Sequence, residues 1–213
     1  MKYLLYHAIL TKRKYFLLKV TSHSMNIISG TARNLQLADL PGMEVRPTAG
    51  RARKALFDSL GDLTGCGILD LCAGSGALAL ESASRGAAWA AMVEKNPAHI
   101  DCIRENCRRV AAAGCTAQLL VMEFDMLHFH RYSSRLPGRP QFIFADPPYA
   151  NSAELFHRLI SDETFINFCH NSRIIWELPD TPGAMGEFIN IPAVTGMQFR
   201  RFGKTIFLTG TIK

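Results

Sequence analysis

Residues 67–84 read GILDLCAGSGALALESAS. Gly67–Leu71 is an apolar run broken by one acid, Asp70, and it ends in a turn with glycines at 74 and 76. The residues from Gly76 to Ser84 then suit a helix. A strand that turns through glycines straight into a helix opens a βαβ unit, because glycine lets the backbone bend tightly and pass close to a ligand. Working outward, Trp89–Glu94, Gln118–Met122, Phe142–Ala145 and Arg173–Glu177 are further apolar runs that predict strands. Asn96-Pro97 opens a predicted amphipathic helix to about Ala113, and Ala153–Ile160 predicts another. Strands alternating with helices imply a mostly parallel α/β sheet covered on both faces. Two last strands, near Met197–Arg201 and Thr205–Thr211, flank Phe202-Gly203 at hairpin spacing. They predict an antiparallel edge.

The chain before this region has a different character. Residues 1–60 carry ten Lys/Arg against three Asp/Glu, whereas residues 61–213 carry fourteen against fifteen. A basic front on a near-neutral body points to a polyanion partner, with nucleic acid first. Met25–Leu40 (MNIISGTARNLQLADL) reads as a hairpin, with Ser29-Gly30 as turn formers and Arg33–Leu37 as the return strand. Thr48 is the expected N-cap of a helix over Arg51–Leu60, with Ala52, Ala55, Leu56 and Leu60 on one face and Arg51, Arg53 and Lys54 on others. The expected organisation is therefore an N-terminal extension over 1–24, disordered; a basic hairpin and helix over 25–62 that contacts nucleic acid; and an α/β domain over 63–213.

With 213 residues, 48% hydrophobic and 20% charged, the composition is that of a soluble globular protein. No apolar run approaches a membrane span, and the start lacks a signal-peptide cleavage site, so a cytoplasmic location is expected. The six cysteines form no C-x-x-C pair; reduced thiols are expected and no metal site.

The first βα turn, Cys72-Ala73-Gly74-Ser75-Gly76, has the G-x-G-x-x-A spacing of an adenosine-cofactor loop. Glu94 ends the next predicted strand eighteen residues past Gly76, where an acid binds a ribose, and Lys95 follows it. That spacing alone does not choose between NAD and another adenosine cofactor. Asp70 helps to choose: a carboxylate before the glycines is repelled by a pyrophosphate but attracted by the sulfonium and ammonium of S-adenosylmethionine, so the turn suits that cofactor better than NAD. Asp125, just past the third strand, is placed to accept a hydrogen bond from an adenine amino group, and Phe124 to pack on the ring. Asp70, Glu94, Asp125 and Asp146 end four consecutive predicted strands, the edge at which open α/β sheets bind ligands.

The fourth of these strands runs into Asp146-Pro147-Pro148-Tyr149. Two prolines stop a strand and freeze the backbone. They fix a carboxylate and an aromatic ring at the strand's end. An aryl amine is a poor nucleophile because its lone pair is delocalised into the ring. Asp146 and a main-chain carbonyl of Pro147-Pro148 can accept its two N–H bonds and hold the nitrogen in line with a sulfonium methyl. Tyr149 can stack on the base once it leaves its helix. The motif resembles that of methyltransferases acting on exocyclic amino groups of bases and on some glutamines.

From Met25 onward the chain resembles a narrower family, the bacterial 16S ribosomal RNA guanine-N2 methyltransferases. The resemblance rests on the MNIISGTARNLQL hairpin, on Arg46-Pro47-Thr48 followed by Arg51, Arg53, Leu56 and Phe57, on LDLCAGSGALALESASRGA, and on Asp146–Tyr149. Thr31, Asn34 and Gln36 stand where the family usually has a second glycine and basic residues. The resemblance implies a class I S-adenosylmethionine methyltransferase fold, with 16S rRNA of the small ribosomal subunit or its assembly intermediate as partner. It implies that Asp146 and Tyr149 engage the base, and that Arg33, Arg46, Thr48, Arg51 and Arg53 meet RNA. The alternatives are an adenine-N6 or other amino-group methyltransferase, an NAD-dependent oxidoreductase, and a non-catalytic rRNA-binding factor. Gly203-Lys204-Thr205 lacks the upstream glycine and following helix of a phosphate loop, His128 and His130 lack companion ligands, and Ser75 lacks a histidine partner.

Overall fold

The computed structural model describes residues 25–40, 47–178, 180–189 and 191–213, with backbone alone at 47–49 and 149. The expected extension over 1–24 and the expected RNA contact at Arg46 lie outside the described residues.

Seven strands form one sheet: β1 (Gly67–Leu71), β2 (Trp89–Glu94), β3 (Gln118–Glu123), β4 (Phe142–Ala145), β5 (Arg173–Leu178), β6 (Val194–Phe202) and β7 (Thr205–Ile212). Their order is β3-β2-β1-β4-β5-β7-β6. The first five are parallel, with Ile68 of β1 opposite both Ala90 of β2 and Phe142 of β4. β7 pairs antiparallel with β5 and with β6, so the last strand inserts between its hairpin partner and the parallel sheet. β6 is longer than its apolar pattern, and its register is irregular between Thr195 and Gln198.

Alternate residues of each central strand feed two cores. Ile68, Met92, Phe144, Ile175 and Phe207 face one side. Leu69, Leu71, Val93, Ile143, Trp176 and Leu208 face the other. Burial on both faces is why these strands read as apolar runs rather than as alternation. The first core is covered by α1 (Pro47–Leu60), α2 (Ala77–Ser84), α3 (Pro97–Ala112) and the 25–40 segment. The second is covered by α4 (Ser152–Ile160), α5 (Glu163–Phe168) and the connection from β3 to β4. α3 begins as its sequence dictates: the Asn96 side chain accepts from the Ala98 N–H at 3.0 Å, with Pro97 in the first turn. α1 starts at Pro47, so Thr48 lies inside its first turn rather than at its cap. α5 has only six residues, too few for a period to show in sequence.

The predicted hairpin is present as one antiparallel bridge, Asn26 with Gln36, closed by a turn in which Gly30 and Asn34 are left-handed. Tertiary contacts hold it. Glu81 of α2, fully buried, accepts the Ile28 N–H at 2.6 Å and the Ser29 N–H at 3.1 Å. Ser84 Oγ accepts the Ala32 N–H and donates to the Ser29 carbonyl. Ile27, Ala32 and Leu37 join the core of the sheet face beneath them. Packing is thus continuous across residues 62 and 63, the boundary expected from sequence.

Candidate active site

The chain leaves β1 toward β2 and β3, then returns to lay β4 on the other side of β1. The connections after β1 and β4 therefore diverge, and the crevice between them is the ligand position of an open α/β sheet. The glycine turn follows β1 and Asp146–Tyr149 follows β4, so the topology brings together the two motifs that sequence alone left seventy residues apart.

Gly76 caps α2 in a left-handed conformation, φ 79°, and a Cβ there would lie 3.0 Å from Met92 Sδ. The left-handed backbone favours glycine, and a side chain there would also have to displace Met92. Glu94, the last residue of β2, is buried beneath the loop; its Oε2 accepts the Gly74 N–H at 2.9 Å, and its Oε1 accepts the N–H groups of Lys95 and Asn96 at 2.9 and 2.8 Å. The Ala73 N–H bonds to the Val93 carbonyl, and Cys72 is left-handed with its thiol pushed up to about 12 by burial. It is a packing thiol at neutral pH.

Asp70 is the penultimate residue of β1, 1% exposed, and its carboxyl accepts the Ala79 N–H at 3.1 Å in the first turn of α2. Burial, reinforced by the negative charges of Asp146 and Glu94, pushes it up to about 8. Its observed contact is thus with the helix. Asp125 accepts the Leu127 N–H at 3.0 Å and lies 3.6 Å from the Lys95 ammonium. Phe124 is half-buried, its ring against Tyr132. Lys95, Glu123, Phe124, Asp125 and Arg131 line an open depression of about 230 Å³.

On the β4 side, Pro147 is buried and the Asn151 N–H bonds back to the Pro148 carbonyl at 3.2 Å. Trp176 Nε1 of β5 donates to Ser152 Oγ at 2.9 Å, which ties the start of α4 to the sheet. The turn is fixed from both ends. Asp146 is exposed to the crevice, yet protein surrounds its carboxyl on most sides and raises it to about 6. Water reaches this carboxyl in the open crevice and opposes that rise, so the full effect belongs to a crevice closed over a ligand. Tyr149 opens a short 3-10 turn, and its ring lies outside the described residues.

Of the residues expected to meet RNA, Arg53 and Arg33 lie away from this crevice. Arg53 is a correction: it is 7% exposed and donates to the Asn26 carbonyl beneath the hairpin, with Glu81 and Arg85 as its charged neighbours. Its spacing from Leu56, Phe57 and Leu60 puts it on the apolar face of α1, a signal present in the sequence. Arg33 is exposed, but its turn lies against Ser84, at the end of α2 away from the glycine loop. Arg51 is exposed. The side chain of Thr48 lies outside the described residues.

Sequence reasoning missed a strap and its anchor. Asn106 of α3, fully buried, accepts the Ala38 N–H at 2.6 Å and donates to the Ser75 carbonyl at 3.0 Å. It ties the chain leaving the hairpin to the glycine loop. A lone asparagine inside a helix pattern gives no such sign.

Comparison with known proteins agrees with this architecture. The family described as conserved hypothetical protein 95 matches residues 25–208. The protein YlbH of Bacillus subtilis is 29% identical over 168 residues, 75% of this chain and 88% of that protein. Ribosomal RNA small subunit methyltransferase D of Escherichia coli is 33% identical over 132 residues, 60% of this chain and 62% of its own length. Among solved structures, a hypothetical protein of Thermus thermophilus, TTHA0928, is 28% identical with a TM-score of 0.66, covering 87% of this chain and 98% of that one. YhhF of Escherichia coli, at 24% identity, shares the fold with a TM-score of 0.65, covering 89% and 98%.

Proposed function

The chain belongs to the conserved hypothetical protein 95 family and has the class I methyltransferase fold, and from that premise we propose that it transfers a methyl group from S-adenosylmethionine to the exocyclic N2 of a guanine in 16S rRNA of the small ribosomal subunit. The observation that carries the reading is the fixed Asp146-Pro147-Pro148-Tyr149 turn facing the glycine loop across the switch point of the sheet. The relative named as a small-subunit rRNA methyltransferase supports the substrate class.

The residues present fit the cofactor. Asp70, Glu94 and Asp146 are close enough for each of the last two to raise the first. Such a concentration of carboxylates suits a ligand bearing positive charge and opposes one bearing phosphates. When bound, S-adenosylmethionine supplies a methyl group on a positively charged sulfur. Glu94, whose two oxygens already hold the loop backbone, is placed for the ribose hydroxyls, and Asp125 for the adenine amino group.

At the other side of the crevice the Pro148 carbonyl is engaged by Asn151. That leaves the Asp146 carboxylate and the Pro147 carbonyl to accept the two N–H bonds of the guanine amino group. Both acceptors are held by the proline backbone, so orienting the nitrogen costs little at the moment of reaction. The amino nitrogen must lose one proton as the methyl arrives, and the Asp146 carboxylate, bonded to that N–H and open to crevice water, is its route out. Tyr149 stacks on the flipped base.

The test is methyl transfer from labelled S-adenosylmethionine to undermodified small subunits, naked 16S rRNA, duplex DNA and bulk protein, followed by identification of the modified nucleoside. N2-methylguanosine in rRNA is the expected product. Label confined to DNA or protein overturns the substrate. Asp146→Asn is expected to lower kcat by about 10²–10³-fold, the usual loss of one preorganised electrostatic partner, with cofactor Kd held within about twofold. An equal loss in cofactor affinity removes Asp146 from this role.

A further inference from the structure

Among the described residues of the front segment, Arg53 is buried and Arg33 lies at the far end of α2, so neither brings positive charge to the crevice. The other face of the sheet supplies it. Between Asp125 and Asp146 the chain holds three arginines and two histidines and no acid. Two short 3-10 turns, Phe129–Arg131 and Ser133–Arg135, carry most of them just past the carboxyl end of β3.

These turns are bolted down from beneath. Phe129 is fully buried, edge-on to Tyr132, Phe165 and Phe168 at 5.2–5.5 Å. Tyr132 is fully buried and its hydroxyl donates to the Met126 carbonyl at 2.9 Å. With Phe129 and Tyr132 pointing in, Arg131 and Arg135 point out and are exposed. Both guanidiniums lie over the Phe124 ring, at 5.7 and 5.1 Å from its centroid. Neither makes an ion pair with an acid among the described residues; Glu123, which lines the same depression as Arg131, is not bonded to it. A guanidinium stacked on a ring keeps its N–H edge free for phosphate and loses little entropy in binding it. The neighbouring depression, with Lys95 and Asp125, is where the adenosine end of the cofactor sits in the proposed reading, and adenosine has no negative charge for Arg131 to meet.

We propose that Arg131 and Arg135, stacked on Phe124, form a second RNA-contact ridge that binds phosphates of the rRNA substrate beside the crevice. The proposal rests on the function proposed above and adds where the backbone of that substrate runs. The partner commits to RNA phosphate because the ridge is cationic and exposed, and neither arginine pairs with an acid among the described residues.

The experiment compares the wild-type chain with Arg135→Gln, Arg131→Gln/Arg135→Gln, Arg131→Lys/Arg135→Lys and, as a charge-removal control, Arg158→Gln on α4. Binding to an unmodified 16S rRNA transcript is measured across salt concentrations at fixed magnesium. Each lost phosphate contact makes log K against log salt shallower by about 0.7–0.9. The double glutamine variant should therefore be shallower by about 1.4–1.8, and Arg135→Gln alone, which does not line the cofactor depression, by about 0.7–0.9 with cofactor affinity within twofold. The double lysine variant should retain the wild-type slope and the Arg158 control should not change it. An unchanged slope in the double glutamine variant overturns the ridge. So does a loss of cofactor affinity in Arg135→Gln that matches its loss of RNA affinity, because the arginines would then serve the cofactor pocket. Wild-type label appearing in DNA or protein instead of RNA refutes the underlying function and is read from the product, independently of the slopes.

Discussion

Glu81→Ala tests the junction between the front segment and the sheet. The carboxylate is fully buried and accepts three hydrogen bonds, from the Ile28 N–H at 2.6 Å, the Ser29 N–H at 3.1 Å and Arg85 Nε at 2.7 Å. It is also the acid facing buried Arg53. Alanine leaves two backbone donors without an acceptor and two arginines without their carboxylate. Breaking a buried pair by deleting one partner costs about 3–5 kcal/mol. Each donor stranded away from water costs about 1–3 kcal/mol. Ile28 and Ser29 are only half-buried and Arg85 keeps Asp58 at 4.0 Å, so water and that second acid recover part of the sum. The expected loss is about 3–5 kcal/mol. With a urea m-value of about 2 kcal/mol/M, the midpoint should fall by about 1.5–2.5 M with m unchanged. Hydrogen exchange should quicken first at Ile28, Ser29 and Thr31. A loss below about 1 kcal/mol, the value of one ordinary hydrogen bond, would refute the latch.

Gly30→Ala should destabilise far more than Gly61→Ala. Both sit at positive φ, which costs an alanine about 1–2 kcal/mol, but a Cβ on Gly30 would lie 1.7 Å from the Ser84 carbonyl oxygen while Gly61 has nothing within 4 Å. Equal melting-temperature shifts would disprove the close approach. Transfer should need Asp146 ionised, and the bound complex closes the crevice over it, so kcat should rise with pH through a midpoint of about 6, where burial has raised it; a kcat profile flat from pH 5 to 8 would exclude that requirement. Asp70→Asn keeps an acceptor for Ala79 and removes the ionisation. Because the folded carboxyl is raised to about 8, its stabilising contribution is present below the unfolded value near pH 4 and is lost as pH rises to 8. The variant should therefore gain on wild type in thermal stability between pH 5 and pH 8, and parallel curves would contradict the assignment.

The strands and most helices were legible because each is set by residues near in sequence. Glycines 74 and 76 force the turn, Asn96-Pro97 caps a helix, and two prolines end β4. Arg53 was misread because its charge outweighed its helical spacing, although its distance from Phe57 and Leu60 already placed it inward. Arg131 and Arg135 were invisible for another reason. Averaged over residues 61–213, their charge is cancelled by acids that the fold places elsewhere.

By itself the sequence determined the alternation of elements, the glycine turn and the rigid acidic turn at the end of β4, because backbone geometry and hydrophobic periodicity act over a few residues. Only the tertiary structure decided that β7 lies between β5 and β6, that Glu81 and Ser84 fasten the front hairpin, that Asn106 ties the strap to the glycine loop, and that Arg131 and Arg135 share one ring. Each of these joins groups distant in the chain or turned to a common face by packing. A buried donor, acceptor or charge takes the partner that the assembled fold brings within reach, and local sequence carries no record of which partner that is.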